Sequence, residues 1–221
     1  MPWKMWLHPT CTKVRFCTLE IIVVCSDRVR IILWNTHYSR GAEFTNLGHK
    51  LFRTTPETCP IAFIPGDAFD PNHLEVVPPF TAANTPTGPA PDLRSLTSLN
   101  PLHGRVSAIH ASSFFHLFDE EKQLHLARAL AGLLSPKPGS MIFGMHVGLA
   151  EKGFKPSERE RGGFMFCHSP ETWVQMWDGL VFKKGKVTVQ AKLVHVERSD
   201  FEGDEVSAQS VALLLWSVTR L

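Results

Sequence analysis

The chain has 221 residues, 43% hydrophobic and 20% charged, with 23 Lys and Arg against 21 Asp and Glu for a net charge of +2. That length suits one domain and is too short for two ordinary domains with a linker. The apolar content supplies a core, and the near-balanced charge excludes a strongly electrostatic nucleic-acid binder.

The longest strongly apolar run, residues 19–25, is seven residues with Glu20 inside it. A helical membrane span needs roughly 18 or more apolar residues, so none is expected. The five cysteines, Cys11, Cys17, Cys25, Cys59 and Cys167, form no C-x-x-C pair. Zinc and dithiol redox chemistry therefore have no anchor, and no metal site is expected. The first residues carry Lys4 but no continuous apolar region with a small-residue cleavage site. The expectation is a cytoplasmic chain without a secretory signal.

In chain order, residues 1–18 show neither helical nor strand periodicity. Residues 19–25, Leu-Glu-Ile-Ile-Val-Val-Cys, are β-branched and read as a buried strand that ends in Ser26 and Asp27. Residues 28–43 lack a clear period. Residues 47–52 read as the tail of a helix, closed by Pro56 and Pro60. A second short strand at 61–64 stops at Pro65, Gly66 and Asp67. Residues 77–104 carry six prolines among Thr, Ser and Asn and read as a long loop.

A third strand is expected at 106–111. Asp119, followed by Glu120 and Glu121, starts the clearest helix, because acidic residues suit the positive helix end. Leu124, Ala127, Leu130, Ala131 and Leu134 recur at helical spacing until Pro136. A fourth strand follows at 141–144, then a helix from Ser169 or Pro170 through Trp177, then strands at 187–193 and 211–216. This order predicts an α/β sheet, parallel in its first part, with a C-terminal antiparallel hairpin.

Ligands of such sheets bind at the carboxyl ends of strands, which selects the candidates. Asp27 could accept from ribose hydroxyls, or simply close a turn. Gly66 permits close approach, Asp67 can accept from an exocyclic amine, and Phe69 offers a flat apolar face; a plain Gly-Asp turn followed by a buried Phe fits equally. His110 and His116 flank the third strand's end, and His146 follows the fourth. Each could serve catalysis or be a packed core histidine. The chain has no G-x-S-x-G, P-loop, H-E-x-x-H or G-x-G-x-x-G motif. The missing glycine loop counts against a nicotinamide or flavin enzyme.

Three stretches resemble class I S-adenosylmethionine-dependent methyltransferases. They are Ile-Pro-Gly-Asp-Ala-Phe-Asp at 64–70, Gly-Arg-Val-Ser-Ala-Ile-His-Ala-Ser-Ser-Phe-Phe-His-Leu-Phe at 104–118 and Pro-Gly-Ser-Met-Ile-Phe-Gly at 138–144. The likeness is greatest to the fungal group of meroterpenoid and related secondary-metabolite pathways, and it covers residues 19–27 and 43–221. It implies a Rossmann-like sheet with helices on both faces, and a methyltransferase-like domain over 19–221. It also implies S-adenosyl-L-methionine as cofactor and a small-molecule substrate methylated at oxygen. By that resemblance Asp27, beside Ser26, holds the ribose. Asp67, Ala68 and Phe69 meet the adenine, and His110 and Ala111 adjoin the methionine part. A general base helps a hydroxyl acceptor and is unnecessary for a carboxylate, so His110, His116 and His146 all stay open as candidates.

The sequence departs from the family twice. Residues 1–18 hold no strand with a glycine-rich turn, so the first strand is expected to be absent. Residues 28–42 interrupt the family pattern between Ser26-Asp27 and the Glu-Phe-Thr-Asn-Leu-Gly run at 43–48, and are expected to be atypical, non-homologous sequence. The alternative function is an inactive truncated homologue that acts at most as a binding or interaction protein. The 77–104 loop and residues 150–168 are the expected covers of a substrate pocket.

Overall fold

The computed structural model describes residues 20–25, 29–33, 50–51, 53, 55, 58, 62–64, 66–156, 163–197 and 210–221. The strands are β1 (Glu20–Cys25), β2 (Val29–Leu33), β3 (Ala62–Phe63), β4 (Val106–Ser112), β5 (Met141–Val147), β6 (Gly153–Pro156), β7 (Phe164–Cys167), β8 (Val187–Glu197) and β9 (Ser210–Arg220). The helices are α1 (Glu120–Leu133) and α2 (Pro170–Trp177).

Seven strands form one sheet in the order β3-β2-β1-β4-β5-β9-β8, and β6 and β7 form a separate ribbon. Within the large sheet β2, β3, β4, β5 and β8 share one direction, and β1 and β9 run against it. The terminal hairpin expected from sequence is β8–β9, eleven residues on each side.

The first part of the sheet corrects the expectation of uniformly parallel strands. β1 lies between β2 and β4, antiparallel to both. Within residues 28–42, Val29–Leu33 is a sheet strand. Ile31, Ile32 and Leu33 suit a buried strand, and Arg30 hides the pattern by breaking the apolar run. The β6–β7 ribbon is not legible in the sequence either, being two strands of four residues.

Local chemistry explains the helices. The Asp119 carboxylate accepts from the Lys122 N–H at 2.8 Å and caps α1, with Glu120 and Glu121 in the first turn. Leu126, Ala127, Leu130, Ala131 and Leu133 are buried on one stripe. The helix stops as Leu134 turns extended and bridges Val106, ahead of Pro136. Ser169 and Thr172 cap α2 reciprocally, and Pro170 sits in its first turn.

The helix α2 lays Trp173 and Trp177 on the sheet against Trp216 of β9 at 4.9 and 6.0 Å between centroids. Phe115 inserts edge-on against Trp173 at 4.9 Å. These rings are buried and dominate the core; truncating one such aromatic costs roughly 3–5 kcal/mol.

Part of the proline-rich loop is held at the amino edge of the sheet, while Leu99 and Asn100 bond to residues 71–75. Arg220 donates to the Phe80 carbonyl, the Gly104 N–H donates to Gly132 O at 2.9 Å, and Arg105 Nη1 donates to Gly88 O at 2.9 Å. Arg220 ends β9 and Gly104 precedes β4, so this part of the loop is pinned at the amino edge.

At the carboxyl edge β4 and β5 approach closely. A Cβ on Gly144 would overlap the Ala111 carbonyl oxygen. The Gly144→Ala variant should lose at least about 1–3 kcal/mol of stability, because a backbone carbonyl must shift. Urea denaturation of both proteins checks this, and an unchanged midpoint would show that the strands have room.

Candidate functional site

The parallel strands β3, β4 and β5 deliver three segments to one edge: 64–70, His110–Phe115 and Met145–Gly148. The chain leaves β1 and enters β2 at the opposite edge, where Cys25 pairs with Val29 and Val106. Ser26 and Asp27 lie outside the described residues.

In the first segment the Asp67 carboxylate accepts from the Phe69 N–H at 2.9 Å, and the Asp67 carbonyl accepts from the Asp70 N–H at 3.1 Å. A carboxylate has about four lone-pair sites, so this turn bond leaves acceptor capacity on Asp67. Ala68 is buried. The Phe69 ring packs on Phe118 at 4.9 Å and His125 at 5.6 Å, with Lys122 Nζ 5.9 Å above it. It is a half-buried ring braced by α1. Gly66 is needed here, since any Cβ would overlap the buried His73 ring.

In the second segment, strand alternation separates the candidates. His110 and Ser112 are half-buried and share one face, and Ala111 is fully buried on the other. The Ala111 side chain therefore points into the core, leaving its backbone at the strand end. His110 Nε2 lies 2.8 Å from Ser112 Oγ, and the Met145 N–H donates to the same oxygen at 3.3 Å. The next residue, Ser113, has φ 54, in the left-handed region that non-glycine residues seldom occupy. That conformation lets its N–H donate to Met145 O at 2.7 Å. Ser112 and Ser113 thus bracket the Met145 backbone. Small size is the only sign of either role in the sequence.

The third segment settles His146. Trp216 Nε1–H donates to His146 Nδ1 at 3.0 Å, so the neutral ring carries its proton on Nε2. His146 is 1% exposed. Burial, then the nearby His116 and His168 rings, hold its pKa well below the ordinary histidine value. It is a neutral core residue, and the site gains no base from it. His116 stacks on it at 6.3 Å between centroids and is itself buried. Of these three histidines, His110 stands at the open edge; burial lowers its pKa as well. Burial also raises the Cys167 thiol to about 11, so it is no thiolate at neutral pH.

His168, which no motif singles out, sits at the α2 cap with Nδ1 3.0 Å from Thr172 Oγ1. Burial lowers its pKa from 6.5 to about 4; Glu120 raises it by less, and Lys152 lowers it a little further. The unfolded chain takes up this proton first as pH falls. Stability from a neutral His168 is therefore complete above pH 6.5 and lost between 6.5 and 4, by about 3 kcal/mol in all. The His168→Gln variant should show a flatter decline across that window in denaturant titrations; parallel curves would exclude His168 as a source of acid sensitivity.

The donor set offers polar partners to the implied cofactor. Asp67 can accept from an amine, the 66–69 turn offers backbone, and His110 with Ser112 adds an imidazole and a hydroxyl. Beside Ser112 this edge shows Glu20, the first residue of β1 and its pairing partner. Among the described residues no glycine-rich turn stands there. Among them too, no group of three His, Cys, Asp or Glu could hold a metal ion, and no helix is long and apolar enough to cross a membrane.

No protein-family model matches the chain. It is 30% identical over 142 residues to the O-methyltransferase phiE of a Fungal sp., covering 64% of this chain and 39% of that protein. It is 32% identical over 102 residues to the Asnovolin E/Chermesin D methyltransferase nvfJ of Aspergillus novofumigatus, covering 46% and 35%. The O-methyltransferase atr3 of Stereocaulon alpinum is 27% identical over 180 residues, covering 81% and 44%. The chain spans less than half the length of each of these relatives. A solved structure, the DhpI–SAH complex, aligns over 88% of this chain and 66% of that one, with TM-score 0.41 and 13% identity. By its sequence, the chain resembles the class I S-adenosylmethionine-dependent methyltransferases of fungal secondary metabolism.

Proposed function

We propose that residues 19–221 form a methyltransferase-like unit that takes part in methyl transfer from S-adenosyl-L-methionine to an oxygen of a small secondary-metabolite acceptor. Two relatives are named O-methyltransferases and a third is named for small molecules, which supports both the chemistry and the acceptor class. The observation that carries the reading is the shared edge: the 66–69 turn and the His110–Ser112 pair, 41 residues or more apart in sequence, stand at the carboxyl ends of strands with one direction.

When bound, the cofactor supplies a methyl group on a sulfonium. This chain's residues hold and orient. Asp67 accepts from the adenine amine while its turn bond to the Phe69 N–H keeps the carboxylate aimed. Ala68 presents backbone, and Phe69, braced by Phe118, walls the ring. His110 and Ser112 face the methionine side. Methyl transfer needs donor and acceptor held in line at close range, which rigid strand ends provide. The β6–β7 ribbon follows directly after β5 and is tied to α1 by Gln123 Nε2, which donates to Phe118 O at 2.9 Å and to Phe166 O at 3.0 Å. We place the acceptor's approach beside this ribbon.

Calorimetric titration of S-adenosyl-L-methionine into the folded chain should show saturable binding. Absence of heat at high micromolar cofactor, with the protein shown folded by circular dichroism, would overturn the reading. The Asp67→Ala variant should bind about 1–3 kcal/mol more weakly, because a buried amine loses its acceptor. Equal affinity would remove Asp67 from the site.

A further inference from the structure

We propose that Ser112 is a positioning residue: it holds His110 as the Nδ1–H tautomer, so that His110 serves as a hydrogen-bond donor to an oxygen of the bound small molecule and not as a proton acceptor. The inference rests on the methyltransferase reading for the ligand but not for the tautomer.

The tautomer is assigned from where one hydroxyl proton goes: Ser112 Oγ could use its second lone pair to accept from a ring N–H, but giving its proton to Nε2 satisfies the hydroxyl. The Met145 N–H donates to Ser112 Oγ at 3.3 Å, which occupies a lone pair of that oxygen. The hydroxyl proton then needs an acceptor, and His110 Nε2 lies 2.8 Å away. A serine hydroxyl has one proton to give, and a neutral imidazole has one bare nitrogen to receive it. The bond therefore leaves Nε2 unprotonated and places the ring proton on Nδ1.

Both partners are fixed independently. Ser112 is the last residue of β4, and the Ser113 N–H to Met145 O bond of 2.7 Å anchors the backbone beyond it. The His110 ring is steadied by Phe143 of the neighbouring strand at 5.0 Å between centroids. Those contacts come from backbone pairing and apolar packing, so they hold the ring in place without choosing its tautomer. Ser112 alone among these neighbours makes that choice. A side chain with no hydroxyl at 112 would free the ring to adopt the Nε2–H form.

The test uses the folded full-length chain labelled with nitrogen-15 histidine, with the His110 signals assigned by their absence in the His110→Gln variant. Proton–nitrogen correlation spectra at pH 7.5 should show His110 with a protonated Nδ1 and an unprotonated Nε2. Ser112→Ala should shift the ring toward the Nε2–H form, and Ser112→Thr, which keeps the hydroxyl, should restore the original pattern. A wild-type ring found as the Nε2–H tautomer would overturn the proposal, and that reading needs no variant to fold. An unchanged tautomer in Ser112→Ala would overturn it too. Titration of S-adenosylhomocysteine in the same samples separates the two levels. Affinity reduced about 3- to 10-fold in Ser112→Ala and recovered in Ser112→Thr supports the donor role. Equal affinity in all three proteins refutes that role. Absence of binding to the wild type, with the tautomer as stated, refutes the methyltransferase reading and leaves the positioning by Ser112 standing.

Discussion

The close approach of β4 and β5 at their carboxyl ends is the constraint on which the rest depends. It needs Gly144, because any side chain there would meet the Ala111 carbonyl. It needs Ser113 in a left-handed conformation, which costs of order 1 kcal/mol or more and is offset by the 2.7 Å bond to Met145 O. It also sets the Ser112 hydroxyl between the Met145 N–H and the His110 ring. One tight strand pair therefore shapes both the packing and the chemistry of the edge.

Behind that edge the core supplies rigidity. Phe115 follows directly from β4 and locks against Trp173 and Trp216, and Trp216 in turn fixes the His146 ring. Residues on the covered face of the sheet are committed to this packing. That is why Ala111 and His146, plausible as ligand contacts on a one-dimensional reading, turn inward, and why His110 and Ser112 on the other face are left for function. The amino edge serves a different end. Arg220, Phe80 and Gly132 pin part of the long proline-rich loop there.

Much of the fold is legible in the sequence because it is local. The period of α1, its Asp119 cap and its proline stop define that helix to within a residue or so; alternation finds β8, and the apolar run 211–216 marks β9. The motif stretches at 64–70 and 104–118 single out the two segments that the sheet then brings to one edge. What stays hidden is non-local. Strand direction depends on which neighbour a strand meets, so an apolar run such as 20–25 gives no hint that it runs antiparallel to both its neighbours. Val29–Leu33 escapes notice because Arg30 interrupts its apolar pattern, although a half-paired strand near a sheet edge tolerates it. The roles of Ser112 and His168 arise from partners across the sheet or at a cap, contacts that no spacing encodes.

The central claim is that ligand meets this chain at the carboxyl ends of β3, β4 and β5. Amide chemical-shift mapping during titration with S-adenosylhomocysteine tests it most directly. The account predicts perturbations concentrated at residues 66–69 and 110–113, with Phe80, Gly104 and Arg220 at the amino edge unmoved. Perturbations centred on the amino edge, or none at saturating ligand, would contradict it.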